Sequence, residues 1–133
     1  MPSIFSRIVN GEIPCHKIAE TADYLAFLDV RPQAKGHTLC IPKREIDYIF
    51  DIDDAQLAGL TVFAKKVARA VEKVVPCKRI GVAVIGLEVP HAHVHLIPLN
   101  SISDLSFGKE PLAISADEMR DLAAKIAVEV DLS

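Results

Sequence analysis

Apolar and polar positions along the chain repeat with two different periods. Ile4, Phe5, Ile8 and Val9 recur at three- and four-residue spacing, and Gly11 offers a stop, so a short first helix is predicted. After Pro14 the pattern changes. Residues 16–19 suit a short strand. Residues 23–30 are aromatic and aliphatic enough for a second, ending at Arg31-Pro32 because proline cannot extend a paired strand. A third strand, 37–41, follows Gly36 and stops at Pro42. Then the helical period returns. Leu57, Leu60, Ala64, Val67, Ala68, Val71 and Val75 mark an amphipathic helix over 53–75, opened by an Asp that can cap free amides and closed by Pro76. Strands at 79–86 and 92–99 flank Glu88-Val89-Pro90 as a hairpin. Ser115 caps a last helix through Met119, Leu122, Ala123 and Ile126.

Strands and helices do not alternate regularly, and the hairpin favours antiparallel pairing. The expected fold class is α+β: an antiparallel sheet with one long and two shorter helices packed on it. No repeat, linker or composition break divides the chain, so 1–133 reads as one domain.

Composition narrows the function. The 133 residues are 50% hydrophobic and 25% charged, which excludes a disordered or fibrous protein. Lys and Arg number 15 against 18 Asp and Glu, for a formal charge of −3. No basic run exceeds two residues, so no nucleic-acid partner is expected. The N-terminus lacks the apolar run of a signal peptide, and no stretch reaches the ~18 apolar residues of a membrane span. Cys15, Cys40 and Cys77 form no C-x-x-C pair, which fits reduced thiols and a cytoplasmic location without a membrane partner.

The chemistry concentrates in His91-Ala-His93-Val-His95-Leu-Ile-Pro98. On a strand the three imidazoles point one way, while Ala92, Val94 and Leu96 point the other, toward a core. Three readings follow. The imidazoles could be the solvated face of an edge strand. Two of them, with a histidine such as His37, could hold a metal; all three could not, because positions i and i+4 of a strand lie about 13 Å apart while each Zn–N bond is about 2 Å. Or they could handle an anion, since imidazoles along a strand can donate hydrogen bonds to phosphate and the middle one can act as a nucleophile.

The His-x-His-x-His signature resembles that of the histidine triad (HIT) family of nucleotide hydrolases and transferases. Three further segments extend the resemblance, to the Hint branch of nucleoside phosphoramidate hydrolases: Ser3 to Pro14, Leu28-Asp29-Val30, and Gly36 to Lys43. The resemblance implies a HIT-like fold and a hydrolase that cleaves the P–N bond of purine nucleoside phosphoramidates. His93 would attack the α-phosphorus and form a nucleotidyl-histidine intermediate. His91 and His95 would flank it, orienting the phosphate and assisting the leaving group, and His37 would add a contact to the phosphate. Asp29 would accept the ribose hydroxyls beside Val30, and Ile4, Phe5, Ile8 and Ile13 would line a slot for the base. A homodimer is implied, with neither metal nor other cofactor. Ala92 replaces the proline of the uridylyltransferase relatives, which favours hydrolysis over uridylyl exchange.

This chain departs from the pattern in places. Leu87 follows Gly86 where Gln is common, the segment carrying a phosphate-contacting Asn is shortened, and Glu45 stands where many members have His. Glu88 is expected to face the phosphate or leaving group, where a carboxylate can only accept hydrogen bonds; a solvated turn residue is the alternative. Dinucleoside polyphosphate hydrolysis and a nucleotide-binding scaffold without turnover are the rival functions.

Overall fold

The computed structural model describes residues 2–133. Five strands form one antiparallel sheet: β1 (Lys17–Glu20), β2 (Tyr24–Leu28), β3 (Thr38–Pro42), β4 (Arg79–Ala83) and β5 (Val94–Leu99). Their spatial order is β1-β2-β3-β5-β4, so β5 lies inside the sheet, between β3 and the edge strand β4. Three helices accompany them: α1 (Ile4–Val9), α2 (Asp54–Val74) and α3 (Ala116–Glu129). The α+β expectation, with one long and two shorter helices, holds.

The two faces of the sheet have different covers. Ala26, Leu28, Cys40, Val94 and Leu96 pack with Leu60, Phe63, Val67 and Val71 of α2 and with Met119, Leu122 and Ile126 of α3. Leu25, Phe27, Leu39 and Ile41 point to the other face and pack with Phe5 of α1. This is why β2 and β3 read as continuous apolar runs: successive side chains alternate, and both destinations are dry.

Helix ends follow the expected chemistry. The Ser3, Asp53 and Ser115 side chains each accept the backbone N–H three residues on, at 2.9–3.1 Å. Strand ends were less legible. β5 begins at Val94 rather than 92, because the Ala92 N–H donates to the Ile46 carbonyl (2.7 Å) and the His91 N–H to that of Val89 (2.8 Å), outside the β4–β5 ladder. β2 ends at Leu28; the Asp29 N–H still reaches the His37 carbonyl (2.9 Å), but the Asp29 carboxylate then accepts the Arg31 N–H and turns the chain. Among the described residues no helix is long and apolar enough to cross a membrane.

Gly59, in mid-α2, is explained by close approach. The Tyr24 hydroxyl donates to the Gln56 carbonyl (2.9 Å), and the ring lies where a Cβ on residue 59 would stand. Helix propensity alone would reward Gly59→Ala by about 1 kcal/mol. Overlap with Tyr24 should reverse that, giving a net loss of about 1–3 kcal/mol in urea denaturation. An increase in stability would show that Tyr24 is not held there.

Candidate active site

His91, His93 and His95 enter the structure on the α1 face, with Ala92, Val94 and Leu96 in the core opposite, as the strand period requires. They are not a solvated face. Each is buried, and His37 with them. Burial forces every ring nitrogen to find a partner or a cavity, and the partners fix the tautomers.

A backbone carbonyl can only accept, so a ring nitrogen facing one carries the proton. His93 Nδ1 donates to the His91 carbonyl at 2.7 Å, which leaves Nε2 of His93 with a free lone pair. His91 Nε2 donates to the Pro42 carbonyl (2.7 Å), and its Nδ1 accepts from the Ser3 hydroxyl (2.9 Å). The Gln33 N–H donates to His37 Nδ1 (2.9 Å), so His37 is protonated at Nε2 and donates to His95 Nδ1 (2.9 Å). His95 then carries its proton on Nε2. His93 thus offers an acceptor and its neighbour His95 a donor, the two ring centroids 4.8 Å apart.

Burial pushes the His37 imidazole down to about 3 and His95 to about 4, and lowers His91 as well. Repulsion between neighbouring imidazoles, were one to take up a proton, reinforces all three shifts. His37, His91 and His95 are therefore neutral rings. Asp29 feels the opposite effect of the same cause: burial raises its carboxyl, against the Arg31 N–H that stabilises the charge.

His37, His93 and His95 line a cavity of about 580 Å³, a size suited to a small-molecule ligand. Asp29, Val30, Ile4, Phe5, Ile8, Ile13 and Glu88 line it too, so nearly all the residues singled out from the sequence are brought together. Phe5 sets its edge against the His93 ring at 5.0 Å. Val30 sits on the exposed rim. His91 is the exception: it does not line the cavity, and both its ring nitrogens are engaged. The flanking phosphate contact expected of it has no free donor to make it. What His91 presents to His93 is its backbone carbonyl.

Sequence reasoning also missed residues. Phe107 stacks edge-on against His95 at 4.7 Å and joins Lys109 and Pro111 in closing the cavity. It comes from the segment after β5, where no motif signalled it. Asp29, His37 and His95 place ligand atoms within 4.8 Å of one another, a spacing open to a metal ion. Binding one there would replace the hydrogen bond between the two imidazoles, and its donor set of two nitrogens and one carboxylate oxygen suits zinc.

The family model described as HIT domain matches residues 10–102. The chain is 37% identical to adenosine 5'-monophosphoramidase hnt1 of Schizosaccharomyces pombe, over 98% of this chain and 99% of the relative. It is 38% identical to adenosine 5'-monophosphoramidase HNT1 of Saccharomyces cerevisiae, over 71% of this chain and 61% of that one. Among solved structures, a Hit-like protein involved in cell-cycle regulation from Bartonella henselae superposes with a TM-score of 0.82 at 31% identity, covering 96% of both chains. A zinc-bound histidine triad family protein from Mycobacterium smegmatis gives 0.78 at 29% identity, over 94% of this chain and 93% of that one.

The depressed imidazoles make stability depend on pH. The unfolded chain takes up protons near the ordinary histidine value of about 6.5, whereas the fold refuses them until about pH 4. Stability is therefore full above about pH 6.5 and lost as pH falls, by up to about 1.4 kcal/mol per pH unit for each such histidine. The raised Asp29 carboxyl works the other way, since the fold protonates it before the unfolded chain does. Urea midpoints should fall between pH 7 and about pH 5, and fall less in the double variant His37→Gln, His95→Gln. Equal slopes would mean that these rings are not buried neutral.

Proposed function

The chain belongs to the HIT family, and from that premise we propose that it is a nucleotide hydrolase that cleaves purine nucleoside phosphoramidates through a covalent intermediate on His93. The observation that carries this reading is the tautomer pair, His93 with a free Nε2 lone pair beside His95 with an Nε2–H. The substrate class is supported by the phosphoramidase names of the two yeast relatives.

In the first step His93 Nε2 attacks the α-phosphorus. A bond forms from Nε2 to phosphorus, the P–N bond breaks, and the amine leaves with its electron pair and a proton taken from solvent. The ring becomes positive as this happens. Its Nδ1–H already points at the His91 carbonyl, whose partial negative charge stabilises the cation without any rearrangement. His95 Nε2–H donates to a phosphoryl oxygen, and His37 holds His95 in the tautomer that can do so. In the second step water attacks phosphorus and gives up a proton to solvent; the bond to Nε2 breaks, its electron pair returns to the ring, and the nucleoside monophosphate leaves the restored enzyme. Each displacement is easier than the direct one.

Asp29 accepts the ribose hydroxyls in this scheme, and Ile4, Phe5, Ile8 and Ile13, with Val30 at the rim, hold the base. Glu88 lines the same cavity, and its charge reaches Asp29. A polyphosphate leaving group would meet that carboxylate unfavourably; a protonated amine would not.

His93→Ala should lower turnover of adenosine 5'-phosphoramidate by about a thousandfold or more while AMP binding, measured by calorimetry, persists. Wild-type enzyme quenched early in alkaline denaturant should carry a nucleotidyl adduct by intact mass. kcat/KM should be higher for the phosphoramidate than for a diadenosine polyphosphate, with EDTA present throughout. Near-normal turnover in His93→Ala would overturn the mechanism. The reverse substrate order would favour polyphosphate hydrolysis, AMP binding without turnover of either substrate a scaffold, and loss of activity in EDTA restored by zinc a metal at Asp29, His37 and His95.

A further inference from the structure

Four polar side chains meet beside the triad without lining the cavity: Ser3 and Ser6 from the start of α1, Glu45 from the loop after β3, and His91. Nothing in the proposed reaction uses Ser3, Ser6 or Glu45. Their hydrogen bonds converge on two acceptors, the Glu45 carboxylate and His91 Nδ1. Glu45 Oε1 accepts both the Ser3 N–H and the Ser6 hydroxyl, each at 2.6 Å. The Ser3 hydroxyl accepts the Ser6 N–H at 3.0 Å, which orients it and leaves its proton for His91 Nδ1 at 2.9 Å. His91 Nε2 is bound to the Pro42 carbonyl. The ring is therefore pinned at both ends, and the backbone carbonyl of the same residue receives His93 Nδ1–H.

We propose that Glu45, acting through Ser3 and His91, is a positioning residue for the nucleophile His93. Its carboxylate acts by two routes. One is the Ser3 backbone N–H, which Glu45 holds and which fixes the residue whose hydroxyl donates to the His91 ring, and with that ring the carbonyl that orients His93. The other is the seating of α1, since anchoring Ser3 and Ser6 also places Phe5, whose edge packs on His93 at 5.0 Å and on His91 at 5.9 Å. The bonds from Ser6 and Ser3 hold the Glu45 carboxyl down at about 2, so it stays an ionised acceptor throughout the working pH range. Glu45 and the two serines touch no substrate in this scheme. Their effect is on the aim of the attacking nitrogen, where small displacements have large consequences for rate.

The inference rests on His93 being the nucleophile, and the test separates the two. Steady-state kinetics with adenosine 5'-phosphoramidate should show kcat lowered roughly tenfold or more in Glu45→Ala and in Ser3→Ala; AMP affinity should change by less than about twofold in Ser3→Ala, and in Glu45→Ala, which also loosens the α1 residues around the base, by less than kcat does. Glu45→Gln keeps the accepting oxygen, and Ser3→Thr keeps the hydroxyl. Both should retain most of the wild-type kcat. A merely structural role would lower the melting temperature of the alanine variants and leave kcat per folded molecule unchanged, which would overturn the inference. So would a rise in KM with constant kcat. If Glu45→Ala does not fold, Ser3→Ala with its threonine counterpart decides. An inactive His93→Ala beside fully active Glu45→Ala and Ser3→Ala would sink this inference alone; an active His93→Ala would sink the nucleophile reading beneath it.

Discussion

The hydrogen bond from His93 Nδ1 to the His91 carbonyl, 2.7 Å long, is the constraint on which the site depends. It selects one of two imidazole tautomers that differ little in free solution. It aims the ring and leaves Nε2 as the only available nitrogen. It is also a bond that strengthens when the ring becomes positive, so the contact that orients the ring would favour the charged intermediate of the proposed reaction. A side-chain acceptor could be lost or swing away. A backbone carbonyl held by the neighbouring fold cannot.

That carbonyl is available because the chain leaves the sheet just before β5. Were residues 91–93 paired in the ladder, the His91 carbonyl would face a strand. Instead the Ala92 N–H reaches Ile46, the His91 ring is clamped between Ser3 and Pro42, and the carbonyl meets the next histidine. The cost is four imidazoles held largely out of solvent. It is met by the neutrality of His37, His91 and His95 and by hydrogen bonds within the fold, as His37 shows in passing from the Gln33 N–H to His95. Apolar packing from Phe5 and Phe107 closes the group on two sides.

Most of this architecture was legible in the residues. The spacing from Leu57 to Val75 gave α2 within a residue at either end, because long amphipathic periods and an Asp cap leave little choice. The alternation through His91 to Leu96 placed the imidazoles opposite the core correctly, and the resemblance gathered Asp29, His37 and the α1 residues around them. Hydrogen-bond direction was beyond reach. Period two says which side His91 faces, and nothing about a ring tied to Ser3 and Pro42 or a carbonyl turned to His93. Glu45 registered only as a departure from the family pattern; its partners Ser3 and Ser6 are some forty residues away and lie before the matched family stretch. Phe107 lies beyond that stretch and carries no periodic signal.

Whether backbone geometry presets the His93 tautomer can be read by imidazole nitrogen NMR of the free protein at mildly alkaline pH. Coupling patterns identify which ring nitrogen is protonated in each histidine. The proton is expected on Nδ1 in His93 and on Nε2 in His37, His91 and His95. A His93 ring protonated on Nε2, or exchanging freely between the two forms, would contradict it.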